Sequence, residues 1–580
     1  MRGLALAWCC ALACAPWSAR GHEATHTYEE GEAVVLWMNK VTPMANPQET
    51  YSFQSLPFCS LPAVDVPSSS FSYIGEILEG NHLVNSGMAL RFRVNTTAPV
   101  TLCTKTLSAE DAEKLRKAIV RDFAYECFLD SLPLFGKVGA VVPASEPGKP
   151  PPQVLVYTLV RIAIAYNDNV IIEVDLATHD LVEVQAGREL AFTYEVVWLP
   201  TSRPFHLRFN RYFDFVFFEH QVHWFSVMNS LMMLILLLGL LFLIYFRMTS
   251  PATLETELVE SDAAWERVSG DVFRPPRFVG LLAACVGTGL QLSIVVLGLI
   301  STAILGSLYI DRGALVASGL YTQVLAGFFA GYAAATTHAL LNGSHAMLGR
   351  TVPLTVGMLP SFMASVEAVL ILVSSHHGLL YASPTRFALI VLLYLVVSAP
   401  LVVLGAKLAK VKRLSTPRLF NAEPRPVPAV EWPLAAIVVA CAGVLPFGSI
   451  FMEVFYLFSA LWLRKFYYVW GFLFVNFVIL LLMSPSVSVL AVYVLFCFED
   501  WRWHWVAFAS AASVGAYAFA YGIYFFLFWT HMTGAAQTAF FFAYLTLFSV
   551  GLGLMCGAVG FAGAWLFVWR VFPRVSLKVD

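Results

Sequence analysis

The chain has 580 residues, of which 58% are hydrophobic and 13% charged, about half the charged share of an average soluble domain. Its formal net charge of −2 gives no electrostatic case for binding nucleic acid, and its mean hydropathy of +0.70 rules out a large soluble enzyme. What remains is an integral membrane protein.

The first element is "MRGLALAWCCALACAPWSARG". Arg2 precedes an apolar stretch of signal-peptide length, and small residues at Ala19 and Gly21 suit cleavage. The run is too short to span a bilayer and is broken by Pro16, so residues 1–21 read as a signal peptide. Residues 22–222 are soluble in character. "VLVYTLVRIAIAY" and "VIIEVDL" flank "NDN" and predict a β-hairpin, and "FTYEVVW" is a further strand. "SAEDAEKLRKAIVRDFAYECFL" predicts a helix capped by Ser108, with Glu110 and Asp111 in its first turn. "PASEPGKPPP" (143–152) is a loop. The region is a β-rich, sandwich-like domain with a small helical insert.

From Phe225 onward, apolar runs long enough to cross a bilayer recur. They lie near 225–246, 279–305, 315–339, 353–375, 387–408, 433–461, 468–496, 505–528 and 537–569. A nine-helix transmembrane domain over 223–570 is followed by a tail, 571–580. The acidic stretch with Glu255, Glu257, Glu260 and Asp262 reads as a solvated linker. Fifteen Lys and Arg, from Arg247 to Lys578, fall on one set of loops; only Arg312, Arg386, Arg464 and Lys465 fall on the other. That asymmetry puts the β-rich domain in the lumen and the C-terminus in the cytosol. Of two glycosylation sequons, Asn95 is then lumenal and open to modification, whereas Asn342 is cytosolic.

Ionisable groups in lipid are costly and are functional candidates by default. Two carboxylates lie well inside spans, Glu367 in "SFMASVEAVLILV" and Glu453 in "LPFGSIFMEVFYLF". Each reads either as a proton or cation site or as a hydrogen-bonded packing residue, and neither has a basic partner at matching depth. His338, His376 and His377 read as solvated interface residues. Glu499 and Asp500 read as a local ion pair with Arg502 amid interfacial tryptophans. No GxSxG, Walker A or GxGxxG motif occurs, and no aspartate lies inside a span, so neither enzyme activity nor a cofactor is expected. No CxxC or Cys/His cluster suggests zinc. Small residues step by four along span three (Gly327, Gly331, Ala335, Ala339) and recur in span nine (Gly553, Gly557, Gly560, Ala564). Such ridges serve either packing inside the bundle or docking of another protein's transmembrane helix.

"VVLWMNKVTPMANPQETYSFQSLPFC" resembles the opening of the nonaspanins, the transmembrane nine superfamily, through Asn39–Val41, Asn46–Tyr51 and Leu56–Cys59. "HWFSVMNS", "GDVFRPP", "LPFGSIFMEVFYLFSALW", "YYVWGFLFVNFVIL", "EDWRWHW" and the closing "LKVD" continue the match in order. Two departures stand out. "AGYAAATTHA" in span three lacks the family's arginine, and "LLLMSPSVSV" in span seven has Pro485 where the family tends to a glutamate. The resemblance implies a multi-pass protein of Golgi and endosomal membranes that sorts or delivers other membrane proteins, notably those with glycine-rich transmembrane helices. It also implies that the C-terminal Lys578-x-Asp580 binds coatomer. In the β-rich domain we expect a Cys59–Cys103 disulfide and an unpaired Cys127, although three cysteines permit other pairings. The leading expectation is a non-enzymatic cargo escort whose partners are membrane-protein cargo, coatomer and the lipid bilayer. The alternative is an ion or small-solute transporter using Glu367 and Glu453.

Overall fold

The structure, a computed structural model, describes residues 26–46, 49–59, 83–142, 153–213, 220–249, 265–306, 313–342, 348–377, 384–409 and 433–576, except 464, 466 and 468, together with 424, 426 and 427. The signal stretch, the 143–152 loop, the acidic linker, Lys578 and Asp580 lie outside the described residues.

The N-terminal region is built from β1 (Ala33–Val34), β2 (Leu36–Pro43), β3 (Tyr51–Ser52), β4 (Val84–Asn85), β5 (Leu90–Arg91), β6 (Val100–Thr106), α1 (Ala109–Val120), β7 (Phe123–Leu129), β8 (Leu132–Lys137), β9 (Gly139–Val142), β10 (Gln153–Asn167), β11 (Val170–Glu183) and β12 (Glu189–Pro200). One five-stranded sheet has the order β3-β2-β7-β8 with β4 on β2. The other has β11-β10-β12-β6 with β9 on β10. The expected hairpin is β10–β11, closed by Asn167 opposite Val170, with Asp168 at φ 48°, a left-handed conformation that aspartate tolerates. β12 shows period-two burial: Leu190, Phe192, Tyr194, Val196 and Trp198 point into the core and their neighbours do not. Side chains of both sheets share that core, among them Leu36, Val41, Val156, Ile162 and Ile164. Ser108 caps α1, accepting from the Asp111 amide at 3.0 Å, and Leu115, Ala118 and Ile119 face the core. A disulfide joins Cys59 to Cys103, and Cys127 is a buried free thiol.

Among the described residues, nine helices are long and apolar enough to cross a membrane. They are Gln221–Thr249, Val279–Leu305, Ala314–Leu341, Gly349–Val373, Phe387–Leu408, Leu434–Trp462, Trp470–Cys497, Trp503–Trp529 and Ala535–Phe572, here spans one to nine. The helix of span one already includes His220, ahead of the expected 225. Span six is interrupted at Gly443. Span five contains a widened turn at Tyr394–Ser398, whose Tyr394 hydroxyl donates to the Val356 carbonyl. The helix of span nine runs unbroken from Ala535 to Ser576, about 63 Å at 1.5 Å per residue, twice a hydrocarbon core. Coverage is uneven. The bundle buries 61% of span seven's most apolar stretch but only 11% of those of spans four and five.

Candidate functional site

Three apolar segments each bring one polar side chain to the end of the bundle that adjoins the β-rich domain. His223 comes from the start of span one, Glu453 from the second half of span six, and Asn476 from the start of span seven. All three are essentially excluded from solvent, at 0%, 2% and 1% exposure. His223 Nδ1 lies 2.8 Å from Glu453 Oε1, and Asn476 Nδ2 donates to the same oxygen at 3.0 Å. The second oxygen, Oε2, accepts from the Tyr467 hydroxyl at 2.9 Å, from the short connection between spans six and seven. Burial and the facing carboxylate push the Tyr467 phenol far above its ordinary range, so it stays a donor. The histidine ring lies 5.0 Å from the Phe472 ring in a stacked pair and 4.5 Å from Tyr456. Close by, Ser230 bridges the Ser226 carbonyl and the Ser449 carbonyl of span six.

A buried carboxylate is tolerable only with its oxygens occupied, and here both are. Glu453 therefore ties spans one, six and seven at a single point. The expectation that it lacks a basic partner is corrected: the partner is His223, 230 residues away in sequence and on another helix. Glu367 does not join this site. It is partly buried on span four, with no hydrogen-bond partner among the described residues. Its neighbour Leu370 packs on Ala536 and Phe540 of span nine. No group of three or more His, Cys, Asp or Glu able to hold a metal occurs among the described residues.

Of the two readings of the small-residue ridges, internal packing or docking of another helix, the structure favours packing: the chain's own helices cover them. A Cβ at Gly327 would come within 2.9 Å of Ser398 Oγ, and one at Gly331 would overlap the Val402 carbonyl, both in span five. Ala335 is 3% exposed. In span nine, a Cβ at Gly553 would lie 3.0 Å from the Ala512 carbonyl and one at Gly557 2.8 Å from the Phe508 ring, both in span eight. By contrast, nothing lies within 4 Å of a Cβ built at Gly349 or Gly357 of span four. His338 is not solvated. It is 1% exposed, with Nδ1 2.8 Å from the Thr351 hydroxyl. Asp500 pairs with Arg502 at 2.9 Å as expected, whereas Glu499 pairs with Arg267 at 3.1 Å. Asn95 sits on an exposed loop, its side-chain oxygen accepting from the Trp198 amide at 2.7 Å.

A second polar knot joins the two parts of the chain. Glu49, 2% exposed, accepts from Arg121 at 2.7 and 2.8 Å and from the Tyr51 hydroxyl at 2.5 Å. It also accepts from Gln537 Nε2, in the first turn of span nine, at 2.7 Å. The Gln537 carbonyl oxygen meanwhile accepts from the Thr533 amide, so the amide is held at both ends. Tyr51 packs against Leu370, Ala536 and Phe540. Burial and the Glu49 carboxylate push its phenol up to about 12.

A β-rich domain seated on a bundle in which, among the described residues, nine helices are long and apolar enough to cross a membrane defines a multi-pass membrane protein. The endomembrane protein 70 family matches residues 50–535. Two transmembrane 9 superfamily members of Arabidopsis thaliana are similar over nearly their whole length: member 4 is 32% identical, covering 95% of both chains, and member 3 is 31% identical, covering 97% of both. Transmembrane 9 superfamily member 1 of Bos taurus is 29% identical over 97% of this chain and 95% of its own. The chain belongs to this family. No solved structure matches it.

Proposed function

We propose that the protein is a non-enzymatic escort that sorts other membrane proteins in Golgi and endosomal membranes, with its β-rich domain lumenal and its C-terminus cytosolic. Family membership over the whole chain supports the setting. The observation that carries the escort role is the uneven coverage of the bundle. Spans four and five form an apolar flank with 11% of their most apolar stretches buried, and Gly349 and Gly357 leave backbone open on it. A client's glycine-containing transmembrane helix would pack there, where two small-residue surfaces allow close backbone approach. Crosslinking from span four to such clients is expected to fall at least severalfold in Gly349→Leu/Gly357→Leu, with the folded protein recovered in normal yield. Unchanged crosslinking in the double variant overturns this version of the escort role.

The tail carries the address. With the C-terminus cytosolic, Lys578, Asp580 and the terminal carboxylate are available to coatomer. Lys578→Ser, or one residue appended after Asp580, is expected to release the protein from the Golgi. An unchanged distribution by microscopy refutes coat-dependent retention.

A further inference from the structure

The β-rich domain contains a partly open cavity between its two sheets that plays no part in the ties described above. Room for the centres of water-sized spheres amounts to about 60 Å³, roughly four times what one water needs. Its walls are apolar and adaptable: Met38, Met88, Phe53, Phe58 and Phe192 line it beside the Cys59–Cys103 disulfide. Lys137 is also in the lining, 54% exposed and paired with Asp122 at 3.2 Å, which puts it at the mouth.

Five hydroxyl-bearing residues line the cavity, the half-buried Tyr157 among them, and three of the hydroxyls are engaged within the protein. Ser86 accepts from the Met88 amide at 3.3 Å, Thr158 donates to the Asp180 carbonyl at 3.0 Å, and Thr193 donates to the Thr158 carbonyl at 3.5 Å. The Tyr125 hydroxyl has no partner among the described residues, although Tyr125 is only 6% exposed. An unpaired buried hydroxyl is costly, so it calls for an acceptor. Burial drives this phenol far above its ordinary range, so it stays protonated and offers a hydrogen.

We infer that this cavity is a binding site for one apolar side chain of a client's lumenal polypeptide, with the Tyr125 hydroxyl donating to a main-chain carbonyl of that segment. A peptide residue supplies both features in one unit, an apolar body and a carbonyl a few ångströms away. An acyl chain fills only the apolar part and leaves the phenol unpaired. The space also suits one side chain better than a whole lipid. The biological occupant rests on the escort reading, but the test below reads the cavity alone, so the two can fail separately.

The probes are N-acetyl-4-fluorophenylalaninamide and 4-fluorotoluene, observed by fluorine NMR with the full-length protein in lipid nanodiscs. Both are expected to bind the wild type saturably, beyond the partitioning seen with Met88→Trp, which fills the cavity. Leu102→Trp fills it from another wall and serves if Met88→Trp does not fold. Tyr125→Phe keeps the cavity and removes the donor. It should weaken the amide about fivefold, the factor for one hydrogen bond of about 1 kcal/mol, and leave 4-fluorotoluene unchanged. Equal responses in wild-type and filled variants overturn the site. So does an amide affinity untouched by Tyr125→Phe. Displacement of 4-fluorotoluene by dodecanoate, with no amide binding, assigns the cavity to a lipid chain and overturns the peptide reading.

Discussion

At the residue scale, Glu453 is the most heavily committed side chain in the bundle, with three donors from three segments and 2% exposure. Glu453→Ala strands His223, Asn476 and Tyr467 together and should destabilise the bundle by about 1–3 kcal/mol, read as a lowered unfolding midpoint in detergent. Glu453→Gln keeps a side-chain oxygen for Tyr467 and should cost less. If Glu453→Ala unfolds like the wild type, the tie is not structural. Glu453 itself was legible in the sequence, since a carboxylate in an apolar run declares itself. Its partners were not. His223 sits in "HWFSVMNS" at the soluble edge of span one, and asparagine and tyrosine near span ends are commonplace; only helix packing brings them together. Cys127 was misplaced by the sequence reading, which put it in the helix after Ser108, whereas it lies in β7. Burial and the nearby Glu126 raise its thiol far above the usual range, so it is neither exposed nor ionised. Iodoacetamide at pH 8 should leave Cys127 unmodified until the protein is denatured, and should modify Cys59 and Cys103 only after reduction. Labelling of native Cys127, seen by peptide mass spectrometry, contradicts this burial.

At the element scale, the nine apolar runs reappear as spans with ends moved by a few residues, because length and hydropathy are local properties; the helix expected from Ser108 to Leu129 instead ends at Val120 and gives way to β7. Helix faces were read poorly. A four-residue step of small side chains says that something approaches closely but not what, and in span three it is the backbone of span five. The two kinds of glycine can be separated by substitution. Gly331→Leu drives a side chain into the Val402 carbonyl and should prise span three from span five, lowering the thermal midpoint by several degrees. Gly357→Leu meets open space and should leave the midpoint within about a degree, since a helix interior gains little from glycine. Similar midpoints for the two variants would mean that the span three–span five contact is absent in the membrane.

At the scale of the whole molecule, the β domain is held to the bundle through Glu49 and Tyr51. Both belong to the "NPQETY" segment, whose resemblance to a family motif gave no hint of this contact. Gln537→Ala removes a hydrogen bond to a buried carboxylate, worth about 1.5–3 kcal/mol. The expected result is faster amide hydrogen exchange around residues 49–51 and 533–540, with the disulfide-linked core of the β domain unaffected. If exchange at residues 49–51 is unchanged, the two parts are held elsewhere.

The Glu49–Gln537 bond spans 488 residues, so its halves are made far apart in time during synthesis. Glu49 leaves the ribosome long before Gln537. Until span nine has been inserted, the carboxylate has only Arg121 and Tyr51, and the apolar face of Tyr51 has no Phe540 to cover it. A chain that stops short thus displays an unfinished polar knot beside bare aromatic surface, the sort of patch that chaperones hold. Completion of the last helix closes it in one step. The contact therefore doubles as a mark that span nine is in place.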